Sequence, residues 1–456
     1  MLAPCLVTGN IGENLQYGRI PFTASTARSF TQSPDDVNFM RILWVKAGGL
    51  VPPDTGGKIR SYHILRELAK RHSVTFFSFY AEHPGDIHQQ LTQFFERVIC
   101  IPLRIPIPRS RGEIFHFARY MFSPMPYSVA KHSQPKVVAA LSNLLEADSY
   151  DVIICDFVVA AGVIPWASSC PKILFTHNVE AQIWRRHFEL ASSPIWKGLA
   201  WHQYRKMLRY ELLCLQNARH VLTVSENDKD VFARSIQRNR ITVIPTGVDT
   251  EYFRPVGVDV GQPPELVFTG SMDWLPNVDA ILYFARDILP LIRREIPHVT
   301  ITVAGRLPSS RVLALAHADT HIRVTGGVDD IRPYIAKASV YVVPLRIGGG
   351  TRLKIFEAMA MGKATVSTTI GAEGLPVTDG KEILIADSPE SFARAVVSLL
   401  RQPELRRQLG SSARQLVEQN YGWSAVSDLF DAVLLRVARG PGNNTSVVPL
   451  AQVGVP

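Results

Sequence analysis

Cysteine is scarce in this chain of 456 residues. The five present (Cys5, Cys100, Cys155, Cys170 and Cys214) are odd in number, scattered, and form no C-x-x-C pair. That pattern argues against a disulfide framework and a structural zinc site, and for a reducing compartment. Long apolar runs are missing too. The most apolar window, "VIICDFVVAAGVIPWA", is broken by Asp156 and Pro165 and reads as a buried strand plus loop. A spanning helix needs roughly 20 uninterrupted apolar residues. The first twenty residues lack a basic stretch followed by an apolar one, so no secretory signal is expected and the protein is expected in the cytoplasm. No G-x-x-x-x-G-K-[ST] occurs, which excludes a P-loop, and no G-x-G-x-x-G opens the first strand–helix unit, which argues against a nicotinamide enzyme. No acidic pair stands in a metal-binding context, and no metal or other cofactor is expected.

The charge balance is 49 Lys+Arg against 40 Asp+Glu, a formal +9. It suits an anionic ligand or an anionic membrane surface and falls short of the basic stripe of a nucleic-acid binder. Residues 1–38 are polar and aperiodic and read as a disordered tail, as do 438–456. Regular structure starts at "RILWVKA" (Arg41 to Ala47). "KIRSYHILRELAKR" then has apolar positions at helical spacing, and "SVTFFSF" is a second strand. Strand, helix, strand within about forty residues is a βαβ unit of a parallel sheet. Further strands are expected at "DVIICDF", "KILFTH" and "HVLTVS". After a Pro/Gly-rich linker at 251–264 the alternation restarts with "ELVFTG", a helix from about Asn277 to Arg294, "VTITVAG", "IRVTG", "VYVVP" and "ATVST". The expectation is α/β: two doubly wound, Rossmann-like parallel-sheet domains, 39–250 and 265–420, facing a central cleft.

In such sheets ligands sit beyond the carboxyl ends of the strands. That rule points to "TGSMD", "AGRLP" and "TGGVDD" in the second domain, and so to Gly270, Ser271, Gly305, Gly326 and Val328. It points also to "PLRIGGGTRLKIFEAMA", where a strand is followed by Gly348, Gly349 and Gly350 and then by Arg352, Lys354 and Glu357. Glycines there let backbone approach a ligand, and the free N–H groups of a helix start bind anions. Two cations at a helix N-terminus are unfavourable on their own, by roughly 0.3–1 kcal/mol each. They make sense if a diphosphate occupies the site. The plainer reading is a glycine-rich turn with a Lys354–Glu357 pair on a solvated face.

In the first domain, Gly56 and Gly57 lie between the first strand and its helix. They either permit backbone approach to a ligand or simply shape a long loop. His177 follows strand "KILFT" directly; its imidazole is expected to project into the cleft and donate to a hydroxyl or leaving oxygen, the alternative being a hydrogen-bonded loop histidine. "PRSRGEIFHFARYMF" and "IWRRHF…WKGLAWHQYRKMLRY" interleave basic and aromatic residues. They suit the bilayer interface, though such mixtures more often belong to helices that turn their aromatics inward and their basic residues to water.

Together, "TGSMDWLPNVDA", "GGGTRLKIFEAMAMGKATVST" and "GAEGL" resemble the retaining glycosyltransferases of family 4, which have the GT-B fold; "TGGKIRSYHILREL", "THNVE", "TVSENDK" and "IPTGVD" fit the same pattern more thinly. "PLRIGGGTRLKIFEAMA" and "MPYSVAKH" look most like bacterial members that build exopolysaccharide or lipid-linked glycans. The resemblance implies a nucleotide-sugar donor held mainly by the second domain. Glu357 would contact the ribose, and Gly350, Thr351, Arg352 and Leu353 would hold the diphosphate. Gly56, Gly57 and His177 would face the reacting sugar and a glycan or lipid-linked acceptor. The last helix, 421–437, would cross back onto the first domain. The chain departs from the pattern in two places. The family's E-x7-E pair has Gly349 in place of its first carboxylate, and Ser271 to Asn277 lacks the usual Arg and Lys. Arg352 and Lys354 are therefore expected to supply the charge on the diphosphate. Two competing readings remain on sequence alone, a non-hydrolysing sugar-nucleotide epimerase of the same fold and a non-catalytic two-lobed scaffold.

Overall fold

The computed structural model describes residues 38–53, 55–80, 90–106, 110–191, 193–257, 264–347 and 353–440. Of the tails expected at 1–38 and 438–456, residues 1–37 and 441–456 lie outside these residues, and the expectation is corrected at 438–439, which belong to a helix. The first sheet holds seven parallel strands in the order β3-β2-β1-β4-β5-β6-β7. They are β1 (Arg41–Ala47), β2 (Ser73–Tyr80), β3 (Arg97–Pro102), β4 (Val152–Asp156), β5 (Lys172–Phe175), β6 (His220–Thr223) and β7 (Ile241–Val243). The second sheet holds six, β10-β9-β8-β11-β12-β13, also parallel. These are β8 (Glu265–Thr269), β9 (Thr300–Ala304), β10 (Ile322–Gly326), β11 (Val340–Val343), β12 (Thr365–Ser367) and β13 (Leu384–Ile385). Strands β1, β4, β8 and β11 are central and nearly wholly buried, which is why they read as continuous apolar runs.

Among the helices, α1 (Gly56–Leu68) follows β1 and α2 (Arg111–Arg119) follows β3. Next come α3 (Glu180–Leu190) and α4 (Pro194–Asn217), packed against each other between β5 and β6. In the second domain, α5 (Leu275–Tyr283) follows β8 and α6 (Leu353–Ala360) follows β11. The last described helix is α7 (Trp423–Arg439). The single helix expected from Asn277 to Arg294 is instead divided. A π-turn at Phe284–Ile288 separates α5 from a short helix, Leu289–Glu295. Pro290 has no N–H for the carbonyl four residues back and its ring crowds that carbonyl, and a widened turn relieves both.

The first domain is closed by α7. Trp423, Val426, Phe430, Val433, Leu434 and Val437 of α7 join one buried cluster with Trp44, Ile59, Tyr62 and Leu65. Phe430 stacks on Trp44 (centroids 5.6 Å apart), and Trp423 lies parallel to His63 of α1 (4.8 Å). Asp431 accepts from His72 Nε2 at 2.8 Å. Gly247, just after β7, leaves room for that tryptophan, since a Cβ there would come within 2.6 Å of the indole. The interdomain segment is held by Arg414, which donates to the carbonyls of Thr250 (3.1 Å), Phe253 (2.8 Å) and Ala360.

Candidate active site

Two buried polar clusters mark the carboxyl ends of the two sheets. In the first domain the centre is Asp156, the last residue of β4 and fully buried. One oxygen, Oδ2, accepts from Trp44 Nε1 (2.9 Å), Lys46 Nζ (2.7 Å) and Ser61 Oγ (2.7 Å). The strand register places Lys46 opposite Asp156, and the two-residue period of β1 puts Trp44 on the same side. The other oxygen, Oδ1, lies 2.7 Å from His177 Nε2. Burial alone would raise the carboxyl's pKa, but Lys46 and His177 reverse this and hold it well below the usual carboxylate range. It is a carboxylate at any physiological pH.

His177 is fixed on both sides. Arg60 Nη1 lies 2.8 Å from its Nδ1. A guanidinium only donates, so Nδ1 accepts and the ring proton sits on Nε2, given to Asp156. Burial, partly offset by Asp156, pushes the imidazole down to about 4, so it is neutral at pH 7. Phe157 covers one face, with centroids 4.0 Å apart at 10°. The expected imidazole projecting into the cleft with a proton to donate is therefore corrected. His177 is buried, and its single N–H is already committed. The alternative, a hydrogen-bonded loop histidine, is what the geometry shows. Arg60 also donates to Thr246 Oγ1, through Nε at 3.2 Å, tying the His177 loop to the segment that leads to the second domain.

Gly56 and Gly57 are likewise placed differently. They are the first residues of α1 rather than a loop before it. The side-chain position of Gly57 is filled by protein, because a Cβ there would meet the Phe157 ring at 2.8 Å, whereas at Gly56 nothing lies within 4 Å. Phe157 itself has φ of 72°, a conformation rare for a residue with a side chain, and its N–H is bonded to the Phe175 carbonyl (2.9 Å).

In the second domain three neighbouring strands run into glycine: Gly270 follows β8, Gly305 follows β9 and Gly326 ends β10. The N–H of Gly270 donates to Ala304 O (3.0 Å) and that of Gly305 to Gly326 O (3.3 Å). A Cβ on Gly305 would fall 1.7 Å from the Gly270 carbonyl oxygen, so only glycine allows this approach. At Gly270 (φ 147°) the side-chain position is taken by Lys354 Nζ and Asn277 Nδ2, each 2.7 Å from where a Cβ would be. Lys354, second residue of α6, donates to Asn277 Oδ1 (2.7 Å) and lies over the Phe268 ring (4.6 Å). Asn277 Nδ2 in turn donates to Ser271 O (2.9 Å). Lys354 and Glu357 are both buried, which rules out the solvated Lys–Glu face. Leu353 is buried above the core, Gly326 has φ of 71°, and Val328 is half-buried against the same core. Gly349, Gly350, Thr351 and Arg352 lie outside the described residues.

Sequence reasoning missed Arg306. It follows Gly305 directly, and its Nε donates to Ser271 Oγ at 3.1 Å, while that hydroxyl donates to Asp273 (2.5 Å). The cations absent from Ser271–Asn277 thus reach that corner from two other elements, α6 and the end of β9. Lys46, Asp156 and Arg60 were missed as well. Among the described residues no three His, Cys, Asp or Glu side chains gather as a metal-binding group, and no helix is long and apolar enough to cross a membrane.

Comparison with known proteins agrees with this architecture. The family described as Glycosyl transferases group 1 matches residues 263–402, and Glycosyltransferase Family 4 matches residues 55–252. An uncharacterized 44.6 kDa protein in the cps region of Klebsiella pneumoniae is 20% identical over 84% of this chain and 96% of its own length. The phosphatidyl-myo-inositol mannosyltransferase of Mycolicibacterium smegmatis is 30% identical over 40% of this chain, a match spanning 49% of that enzyme. Among solved structures, Anabaena HepE in complex with UDP superposes with a TM-score of 0.61 at 15% identity, covering 87% of this chain and 99% of that one. Sucrose-phosphate synthase from Thermosynechococcus elongatus gives 0.60 at 16% identity, over 86% and 98%. With both halves matched by family and both sheets matched by fold, the chain belongs to the family 4 (group 1) glycosyltransferases and has the GT-B fold.

Proposed function

We propose that this glycosyltransferase moves a sugar from a nucleoside-diphosphate sugar to a hydroxyl of a glycan or lipid-linked acceptor, with retention at the anomeric carbon and without a metal ion. The observation that carries the reading is the convergence of Lys354 and Arg306 on the Gly270–Ser271 corner. Cations held by protein at a glycine bend are preorganised for the charge that grows on a departing diphosphate, and they need no reorganisation during the reaction. The bond from the anomeric carbon to the diphosphate oxygen breaks. The acceptor oxygen bonds to the same face, and its proton passes to the departing phosphate. The sequence resemblance gives the same role to Arg352 and the N–H groups of Gly350 to Leu353, and gives Glu357 the ribose. Anabaena HepE, crystallised with UDP and with UDP-glucose, supports a nucleotide-sugar donor, and the cps-region relative supports a role in exopolysaccharide synthesis.

His177 and Asp156 take a supporting part here. They fix the wall of the cleft through Arg60 and Phe157, and the proton transfer does not require them. The test is a thermal-shift panel of uridine, guanosine, adenosine and cytidine diphosphates. A ligand at a hundred times its dissociation constant adds about 2.7 kcal/mol. Lys354→Met, which keeps the buried stem, is expected to weaken the winning diphosphate by roughly 1–3 kcal/mol. Release of nucleoside diphosphate only when acceptor is added separates transfer from epimerisation and from a non-catalytic scaffold. Unchanged affinity in Lys354→Met would remove the basis of the reading.

A further inference from the structure

A cavity of about 950 Å³ opens in the first domain at the end of the sheet opposite Asp156 and His177. It lies where β6 and β7 begin, whereas those two residues stand where the parallel strands finish. The sequence puts a cation just before each of these short strands, Arg219 before His220–Thr223 and Arg240 before Ile241–Val243. Val221 pairs with Ile241, so the register brings His220 beside Arg240. Arg234 comes from the segment between the strands, and Arg436 from the last turn of α7. The lining thus holds four arginines and a histidine, and no aspartate or glutamate.

The partners of these cations are neutral. Arg240 donates through Nη2 alone, to the carbonyls of Leu215 (3.3 Å), Gln216 (3.1 Å) and Ala218, which fixes it at the C-terminal end of α4. Arg436 donates through Nη2 to Thr242 Oγ1 (3.3 Å). Nε and Nη1 of both have no protein partner among the described residues, and the Arg234 side chain is exposed. Burial, with Arg436 and Arg240 adding to it, pushes the His220 imidazole down to about 4, and the charged neighbours that shift it are both cations. Gln216, also in the lining, has a buried side-chain oxygen without a partner among the described residues. Cations gathered with no counter-charge favour an anion, and guanidinium forks match phosphate oxygens. The buried acceptor favours a ligand that also has a hydroxyl to give. The volume is that of a site for a nucleotide-sized molecule.

We infer that this cavity is a second anion site, which binds a phosphorylated small molecule with free hydroxyls, a sugar phosphate or a nucleotide. Arg234, Arg240 and Arg436 meet its phosphates, and Gln216 accepts from a hydroxyl. Because Arg436 belongs to α7 and the other cations to the β6–β7 edge, the ligand ties the returning helix to the first domain. The site lies away from the cleft and does not depend on the transfer reaction.

Isothermal titration of the full chain with glucose 1,6-bisphosphate and with ADP tests this and separates the two sources. Whichever probe binds should keep its affinity in Lys354→Met and lose about tenfold or more in Arg234→Gln with Arg436→Gln. Arg240 is left in place because it closes the end of α4. Gln216→Leu should weaken the same probe about threefold. Arg311→Gln with Arg394→Gln, equal in charge but on the second domain, should leave it unchanged. The probe should raise the melting temperature of the wild-type protein. Without probe, the Arg234→Gln with Arg436→Gln variant should melt with wild type, which shows that it is folded. The inference is overturned if wild type binds neither probe at millimolar concentration, or if the Arg234→Gln with Arg436→Gln variant binds like wild type. It is overturned too if Lys354→Met abolishes binding, which would put the probe in the cleft, or if the second-domain pair weakens it equally, which would make the attraction one of net charge.

Discussion

The two polar clusters share a position, at the carboxyl ends of parallel strands, but differ in what closes them. In the first domain a carboxylate is surrounded by its own donors: Trp44, Lys46, Ser61 and His177 all bond to Asp156. In the second, backbone glycines are surrounded by cations that come from elsewhere in the chain, Lys354 and Arg306. A carboxylate whose two oxygens are both taken by protein donors supports the fold around it. Glycine backbone with lysine and arginine beside it favours an incoming anion. Position at a strand end is common to both and cannot tell them apart; what the central group is, a saturated carboxylate or open backbone, can.

The largest effect that would break this contrast is on folding. Asp156→Asn leaves Lys46 and Arg60 buried without the carboxylate, and a loss of about 3–5 kcal/mol in urea denaturation is expected. Affinity for nucleoside diphosphate in the surviving folded fraction should stay near that of wild type. Lys354→Met should show the reverse, a binding defect with little loss of stability, and equal effects in both variants would erase the distinction. Next in size is Gly57→Ala. Its methyl group would press on the Phe157 ring, a strain of roughly 1–3 kcal/mol. Phe157→Leu should relieve much of it, so the double variant should be more stable than the sum of the singles, and simple additivity would show that the ring is not the obstacle.

A further effect, small at any one pH step, concerns pH. Burial, with Arg66 adding to it, pushes His63 down to about 3. Below pH 6.5 the unfolded chain takes up this proton and the folded one does not, so stability falls as the solution is acidified. His63→Phe keeps the stack on Trp423 and removes the titration. The variant should lose about 1.4 kcal/mol less than wild type for each pH unit between about 6 and 4. Parallel acid profiles for the two proteins would count against a neutral buried imidazole at that position.

Much of this was legible in the sequence. β1 runs over Arg41–Ala47 as its composition implies, and the glycines at the ends of β8, β9 and β10 stand out because they recur after similar apolar runs. The strands that escaped notice have physical reasons for doing so. β3 is a half-exposed edge strand ending in proline, and β7 and β13 are three and two residues long. The first cluster was hidden in a different way. Asp156 looked like an interruption of an apolar window, and Lys46 drew no notice within its strand, because the register that pairs them spans 110 residues. A lone charge closing an otherwise buried strand was the available signal. Arg60 offered none, since its partner Thr246 is 186 residues away.

The return of α7 has a consequence for anyone cutting this gene into pieces. The first domain is not a contiguous stretch of chain, since part of its interior is encoded in the last segment, after the whole second domain. A fragment stopping near Thr250 would present Trp44, Ile59 and Tyr62 to water on the side that Phe430 and Trp423 normally cover. The second domain is the contiguous unit, whereas a first domain made alone lacks the helix that covers this side of its core.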